Sequence, residues 1–148
     1  KGFEEEHLVS TLKQQIQIDK NIEDVRKNLA LRSDFNLLDG FRFFDFKGRG
    51  YITSSEFERG LEELGIFPTK DEIYLFFRRH DKDSDGLLRY SDYCKFMTPS
   101  STEYAKILNE KSPIYLDTDE DFDFETRYNM KRLFNLLING EVSAESLR

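Results

Sequence analysis

The sequence has one cysteine, three prolines and fewer basic than acidic residues, 22 Lys and Arg against 29 Asp and Glu. With Cys94 alone, no internal disulfide can form, which fits a reducing compartment, and a lone cysteine usually behaves as a small buried apolar group. No apolar run approaches the ~18–20 residues needed to cross a bilayer, and the start Lys1-Gly2-Phe3-Glu4-Glu5-Glu6 is not a secretory signal. A soluble, cytoplasmic protein is expected. The net charge of −7 disfavours nucleic acid, whose phosphates need a basic surface, and suits cations or basic partner helices. Gly-rich phosphate loops, nucleophile elbows, HExxH and paired-cysteine motifs are all missing. No two acids are singled out as an acid and base pair, so no catalytic role is expected.

What is present is enough to fold. The chain has 148 residues, 38% of them hydrophobic, with 14 Phe and 7 Tyr, a size and composition that suit one compact domain with helical arms. Because it begins without Met and ends at Leu147-Arg148 within a helical pattern, it reads as part of a longer protein. Residues 4–31 place Leu8, Leu12, Ile16, Ile22, Val25 and Leu29 mostly at helical spacing, which predicts an amphipathic helix, bent near Ile18-Asp19, whose apolar stripe needs a partner.

An internal repeat then organises the chain. The segment Asp45-Phe46-Lys47-Gly48-Arg49-Gly50-Tyr51-Ile52-Thr53-Ser54-Ser55-Glu56 recurs 36 residues later as Asp81-Lys82-Asp83-Ser84-Asp85-Gly86-Leu87-Leu88-Arg89-Tyr90-Ser91-Asp92. Apolar residues stand eight and four positions before each loop (Leu37, Phe41; Ile73, Phe77). Others follow at Phe57, Leu61 and Leu64, and at Tyr93, Phe96 and Met97, so each loop is bracketed by helices facing one core. Ser33 is the expected cap of the first helix, and Thr53 with Glu56 and Thr69 with Glu72 form capping boxes. The Thr53 helix should end near Gly65. Thr98-Pro99-Ser100-Ser101 breaks the last of these helices. A short helix over 102–110 and an amphipathic one over 124–139, ended by Gly140, follow, with a further helix expected to start at Glu141.

Asp81, Asp83, Asp85 and Asp92 fall at positions 1, 3, 5 and 12 of the second loop. Hard cations such as Ca²⁺ take six to eight oxygens, which alternating carboxylates on a tight turn can supply. Gly86 permits the turn, and the Leu87 carbonyl is the expected backbone ligand. Leu88 should pair with Ile52 of the other loop. Asp92 is one methylene shorter than the Glu usual at that position, which weakens two-oxygen ligation and relatively favours Mg²⁺. Arg89, at position 9, brings positive charge. The first loop keeps Asp45, Gly50 and Glu56 but carries Lys47 and Arg49 where ligands belong, and cations donate no lone pair. That loop is therefore expected to be structural.

On these residues, 33–98 resemble one EF-hand pair of the calmodulin, troponin C and centrin superfamily. The resemblance implies an all-α fold with two helix-loop-helix units, to which 1–32 and 99–148 add N- and C-terminal amphipathic helices. It also implies Ca²⁺-linked opening of an apolar groove that grips a target helix. The expected function is binding of one divalent cation at Asp81, Asp83, Asp85, Leu87 and Asp92, with a protein partner held by apolar helices. Two other readings stay open: a constitutive subunit of a cytoskeletal or axonemal assembly, and a regulatory segment of a larger enzyme. Asp117-x-Asp119-x-Asp121 imitates a third loop, but Phe122 replaces its Gly, so it reads as an acidic helix start. His7 and His80 lack ligand-spaced partners. The helix around Tyr128–Ile138, with Arg127, Lys131 and Arg132, is either an internal target for the groove or an ordinary packing helix.

Overall fold

The two capping boxes expected from the sequence start two of the helices. Thr53 accepts from the Glu56 amide at 3.2 Å while Glu56 accepts from the Thr53 amide at 3.0 Å, and Thr69 and Glu72 repeat the exchange at 3.1 and 2.8 Å. Each satisfies two donors that a helix start leaves orphaned, and losing such a cap typically costs about 1 kcal/mol. In the computed structural model, which describes residues 2–116 and 122–145, these helices are α3 (Ser54–Glu63) and α4 (Lys70–His80). α3 stops at Gly65, whose φ of 86° suits only glycine well. There Gly65 donates to Glu62 O and Ile66 to Leu61 O, at 2.9 and 2.8 Å, closing the helix end.

The remaining elements are α1 (Phe3–Leu31), α2 (Leu37–Phe44), β1 (Tyr51–Thr53), β2 (Leu87–Arg89), α5 (Tyr90–Met97), α6 (Thr102–Asn109) and α7 (Phe124–Glu145). The architecture is all-α apart from the β1–β2 ribbon, an antiparallel pair in the register Tyr51 to Arg89, Ile52 to Leu88 and Thr53 to Leu87. Ile52 and Leu88 are both buried under it, so the two loops are tied back to back. No described helix is long and apolar enough to cross a membrane.

The apolar positions flanking the loops all reach the core: Leu37, Phe41, Phe57, Leu61, Leu64, Ile73, Phe77, Tyr93, Phe96 and Met97 are buried. α7 adds to this core. Its Phe134 is fully buried, with ring centroids 5.1 Å from Phe44, 5.9 Å from Phe57 and 6.1 Å from Phe96, one ring each from α2, α3 and α5. The apolar face left between the module's helices is thus filled by the chain's own helix, so the internal-target and packing readings of 128–138 describe the same contact.

α1 and α7 run antiparallel. Arg32 reaches Thr126 at 3.1 Å and Asn28 reaches Asn129 at 3.5 Å, while Gly140 lies beside Ile18 and Ile22. Several expectations are corrected here. α2 starts at Leu37 and is capped by Asn36, which accepts from the Asp39 amide at 2.9 Å, rather than by Ser33. Gly140 does not end α7, because it stands inside the helix where that helix meets α1. The α1 stripe is only half used: Ile22, Val25 and Leu29 are buried, but Leu8, Leu12 and Ile16 are exposed, with Val9 beside them. The Asp117–Asp121 run, Lys1 and the last three residues lie outside the described residues.

Polar ties fix the C-terminal segments to the body. Glu23 accepts from Ser100 N at 2.8 Å and Ser101 N at 3.1 Å at the start of α6, and Arg26 donates to Phe96 O at 2.8 Å. Buried Asp39 accepts from Asn36 Nδ2 at 2.6 Å, Ile114 N at 2.7 Å and Tyr115 N at 3.1 Å. Because a buried carboxylate needs such donors, this one fastens the segment after α6 to the start of α2.

Candidate metal centre

The second loop runs from the end of α4 to the first turn of α5. Asp81 caps α4, and its Oδ2 accepts from the Gly86 amide at 2.7 Å, folding the loop across itself. Ser84 and Gly86 have φ of 53° and 78°, the left-handed backbone that a tight turn requires. Asp85 Oδ1 accepts from Leu87 N at 3.1 Å, and Asp92 Oδ2 from Arg89 N at 3.0 Å. Asp81 and Asp92 are buried, 9% and 4% exposed.

Asp81 Oδ1 is buried without a hydrogen-bond partner. An orphaned carboxylate oxygen is costly, and a cation is the species that would satisfy it, so this donor set fits a hard divalent ion. Arg89 supplies the nearest positive charge: its Nη2 lies 2.5 Å from Asp85 Oδ2 and its Nε 3.5 Å from Asp83 Oδ2. Asp83 and Asp85 are therefore brought together on a guanidinium. Among the described residues, no group of three or more His, Cys, Asp or Glu side chains is gathered to hold a metal ion as it stands.

The first loop is closed by its own residues. Asp45 Oδ1 accepts from Arg49 N at 3.0 Å and its Oδ2 from Gly50 N at 2.8 Å. Arg49 Nη2 lies 2.9 Å from Glu56 Oε1, so a cation already stands at the carboxylate of the twelfth position, although Glu56 Oε2 remains buried and unpartnered. Burial pushes the Glu56 carboxyl up. The Thr53 amide, the Arg49 guanidinium and the Thr53 hydroxyl outweigh it and leave it below its ordinary value. Arg49 moves up correspondingly through its bond to Glu56. Lys47 lies over the Phe46 ring at 5.8 Å.

Sequence reasoning placed the cations of both loops but missed their partners. Asp85 to Arg89 crosses the turn into β2, and Arg49 to Glu56 crosses the turn and β1, so no helical spacing pointed either pair together. The His80 ring packs against Phe76 and Phe96, with centroids at 4.5 and 5.0 Å, and His7 is exposed. Cys94 is half-buried.

Residues 34–98 match the family model for an EF-hand domain pair. A probable calcium-binding protein of Oryza sativa subsp. japonica is 29% identical over 110 residues, covering 72% of this chain and 44% of that protein. Calmodulin-like protein 9 of Arabidopsis thaliana is 34% identical over 65 residues, 44% of this chain and 43% of the relative. Calcium-dependent protein kinase 33 of Arabidopsis thaliana is 31% identical over 77 residues, 52% of this chain and 15% of the kinase. The chain thus spans less than half the length of these relatives. No solved structure matches it.

Proposed function

We propose that this protein, whose residues 34–98 match an EF-hand domain pair, binds one Ca²⁺ ion in its second loop and uses its apolar helices to hold a protein partner. Asp81, Asp83, Asp85, the Leu87 carbonyl and Asp92 would supply the oxygens. The observation that supports this reading is the unpartnered, buried Asp81 Oδ1 in a loop that also carries Asp83, Asp85 and Asp92 and turns on Gly86. The orphan of the first loop, Glu56 Oε2, belongs instead to a carboxylate already paired with Arg49. Calcium in such a site supplies charge neutralisation that lets these carboxylates converge. Mg²⁺ is the competing ion, because Asp92 is short for two-oxygen ligation. Lys47, Arg49 and the Arg49 to Glu56 pair leave the first loop structural.

The partner surface follows from what is already occupied. With Phe134 packed among Phe44, Phe57 and Phe96, the module's own apolar face is filled. The exposed stripe of Leu8, Leu12 and Ile16 on α1 is the helix face we propose for a partner. The same filled face favours a second reading, a constitutive subunit of a larger assembly in which the ion stabilises but does not switch.

Calorimetric titration with Ca²⁺ and Mg²⁺, comparing wild type with Asp81→Ala, tests the proposal. One ion should bind the wild type and none the variant. Free ion at 100 times Kd should stabilise the wild type by about 2.7 kcal/mol. Absence of binding at millimolar Ca²⁺ would overturn the reading. Binding without any change in the affinity for a partner would favour the constitutive role.

A further inference from the structure

The geometry points to Arg89 as the resident counter-ion of the second loop, so that loading the loop is an exchange in which its guanidinium leaves Asp83 and Asp85. This inference rests on the reading of the second loop as a metal site. Arg89 Nη2 is 2.5 Å from Asp85 Oδ2 and Nε is 3.5 Å from Asp83 Oδ2, the carboxylates at the fifth and third positions. While the guanidinium is paired with Asp85 Oδ2 and stands beside Asp83 Oδ2, those oxygens are not free for a cation shared with Asp81 Oδ1. Meanwhile the Arg89 amide donates to Asp92 Oδ2 at 3.0 Å, and its strand pairs with Tyr51 of the other loop. One residue thus touches three of the four carboxylates, two by side chain and one by backbone.

The side chain differs from the backbone in what it can do. The Arg89 amide is part of the strand and helix start, whereas its guanidinium is 41% exposed and can move into water. In the first loop Arg49, 37% exposed, pairs with Glu56, but positions three and five carry no carboxylate for an ion to take over. The two loops therefore each hold a guanidinium on a carboxylate, and only in the second would its departure free a ligand set. Displacement lowers affinity, since the ion must break two charge contacts and then share the loop with a nearby positive charge.

Replacing Arg89 with Gln removes the competitor and keeps the backbone amide. Ca²⁺ titration of the full chain should then give a Kd about two- to tenfold tighter than wild type, as expected for exposed, solvent-screened ion pairs. The gap should narrow as salt rises toward 1 M, where such charges are screened. Arg89→Lys, with charge but no fork, should fall between the two. The metal-free melting temperature of Arg89→Gln should drop while the Ca²⁺-loaded value stays near wild type, so the calcium-induced shift widens. Equal or weaker Ca²⁺ binding by Arg89→Gln, with wild type binding normally, would overturn the exchange and leave the metal site standing. Failure of both proteins to bind Ca²⁺ would overturn both.

Discussion

Removing the Phe134 ring should unfold the whole module more easily, because that ring belongs to α7 yet fills the core of the EF-hand pair. The side chain is fully buried and meets Phe44, Phe57 and Phe96 at centroid distances of 5.1, 5.9 and 6.1 Å, each near edge-to-face. Phe→Ala at such a site costs about 3–5 kcal/mol from lost transfer energy and the cavity left behind. Against a total stability of about 5–15 kcal/mol, that is a large share. For a chain of this size each kcal/mol lowers the melting temperature by about 2–4 °C, so Phe134→Ala should melt roughly 6–20 °C lower. Urea titrations followed by far-UV and near-UV circular dichroism should shift together in one transition with the slope unchanged. Tyr128→Ala, exposed on the same helix, should stay within about 0.5 kcal/mol of wild type. A loss below about 1 kcal/mol, well short of the range for a buried ring, would refute the packing argument. So would two separated transitions in which α7 releases and the remaining helices melt as in wild type.

Three further outcomes follow from particular contacts. A methyl group at Gly60 would run into the Phe44 ring, so Gly60→Ala should destabilise by about 1–3 kcal/mol in thermal melts, despite the better helix propensity of Ala. Asp39→Asn turns an amide donor toward the Ile114 or Tyr115 amide that the carboxylate accepts; a loss of about 1–3 kcal/mol and faster proteolysis beside Pro113 are expected. Glu56 sits below its ordinary carboxyl value in the folded protein, so its stabilising contribution is present above the unfolded value of about 4.3. It is lost as pH falls through the lower folded value. Urea melts from pH 7 down to pH 3 should therefore show a smaller acid-induced loss for Glu56→Gln than for wild type, and parallel profiles would remove Glu56 from the account.

Much of this was legible in the sequence because it is local. The capping boxes at Thr53 and Thr69 need only three residues' separation, and the repeat fixed which helix faces turn inward and that Ile52 meets Leu88. What was not legible depends on distant neighbours. Asn36 caps α2 in place of Ser33, and the Asp39 beside it is held by amides some 75 residues away. Gly140 looked like a helix end, but contact with Ile18 and Ile22 of α1 sets its surroundings. Periodicity marks the whole α1 stripe as apolar without saying that only its second half meets α6 and α7. In the second loop the ligand pattern was plain, while the hold of Arg89 on Asp83 and Asp85 required knowing where a long, flexible side chain goes.

The most direct test of the one-ion account is native mass spectrometry with saturating Ca²⁺. Wild type should carry one ion, Glu56→Ala should still carry one, and Asp81→Ala should carry none. Two ions on wild type, none at all, or retention of the ion by Asp81→Ala would contradict the assignment of the site to the second loop.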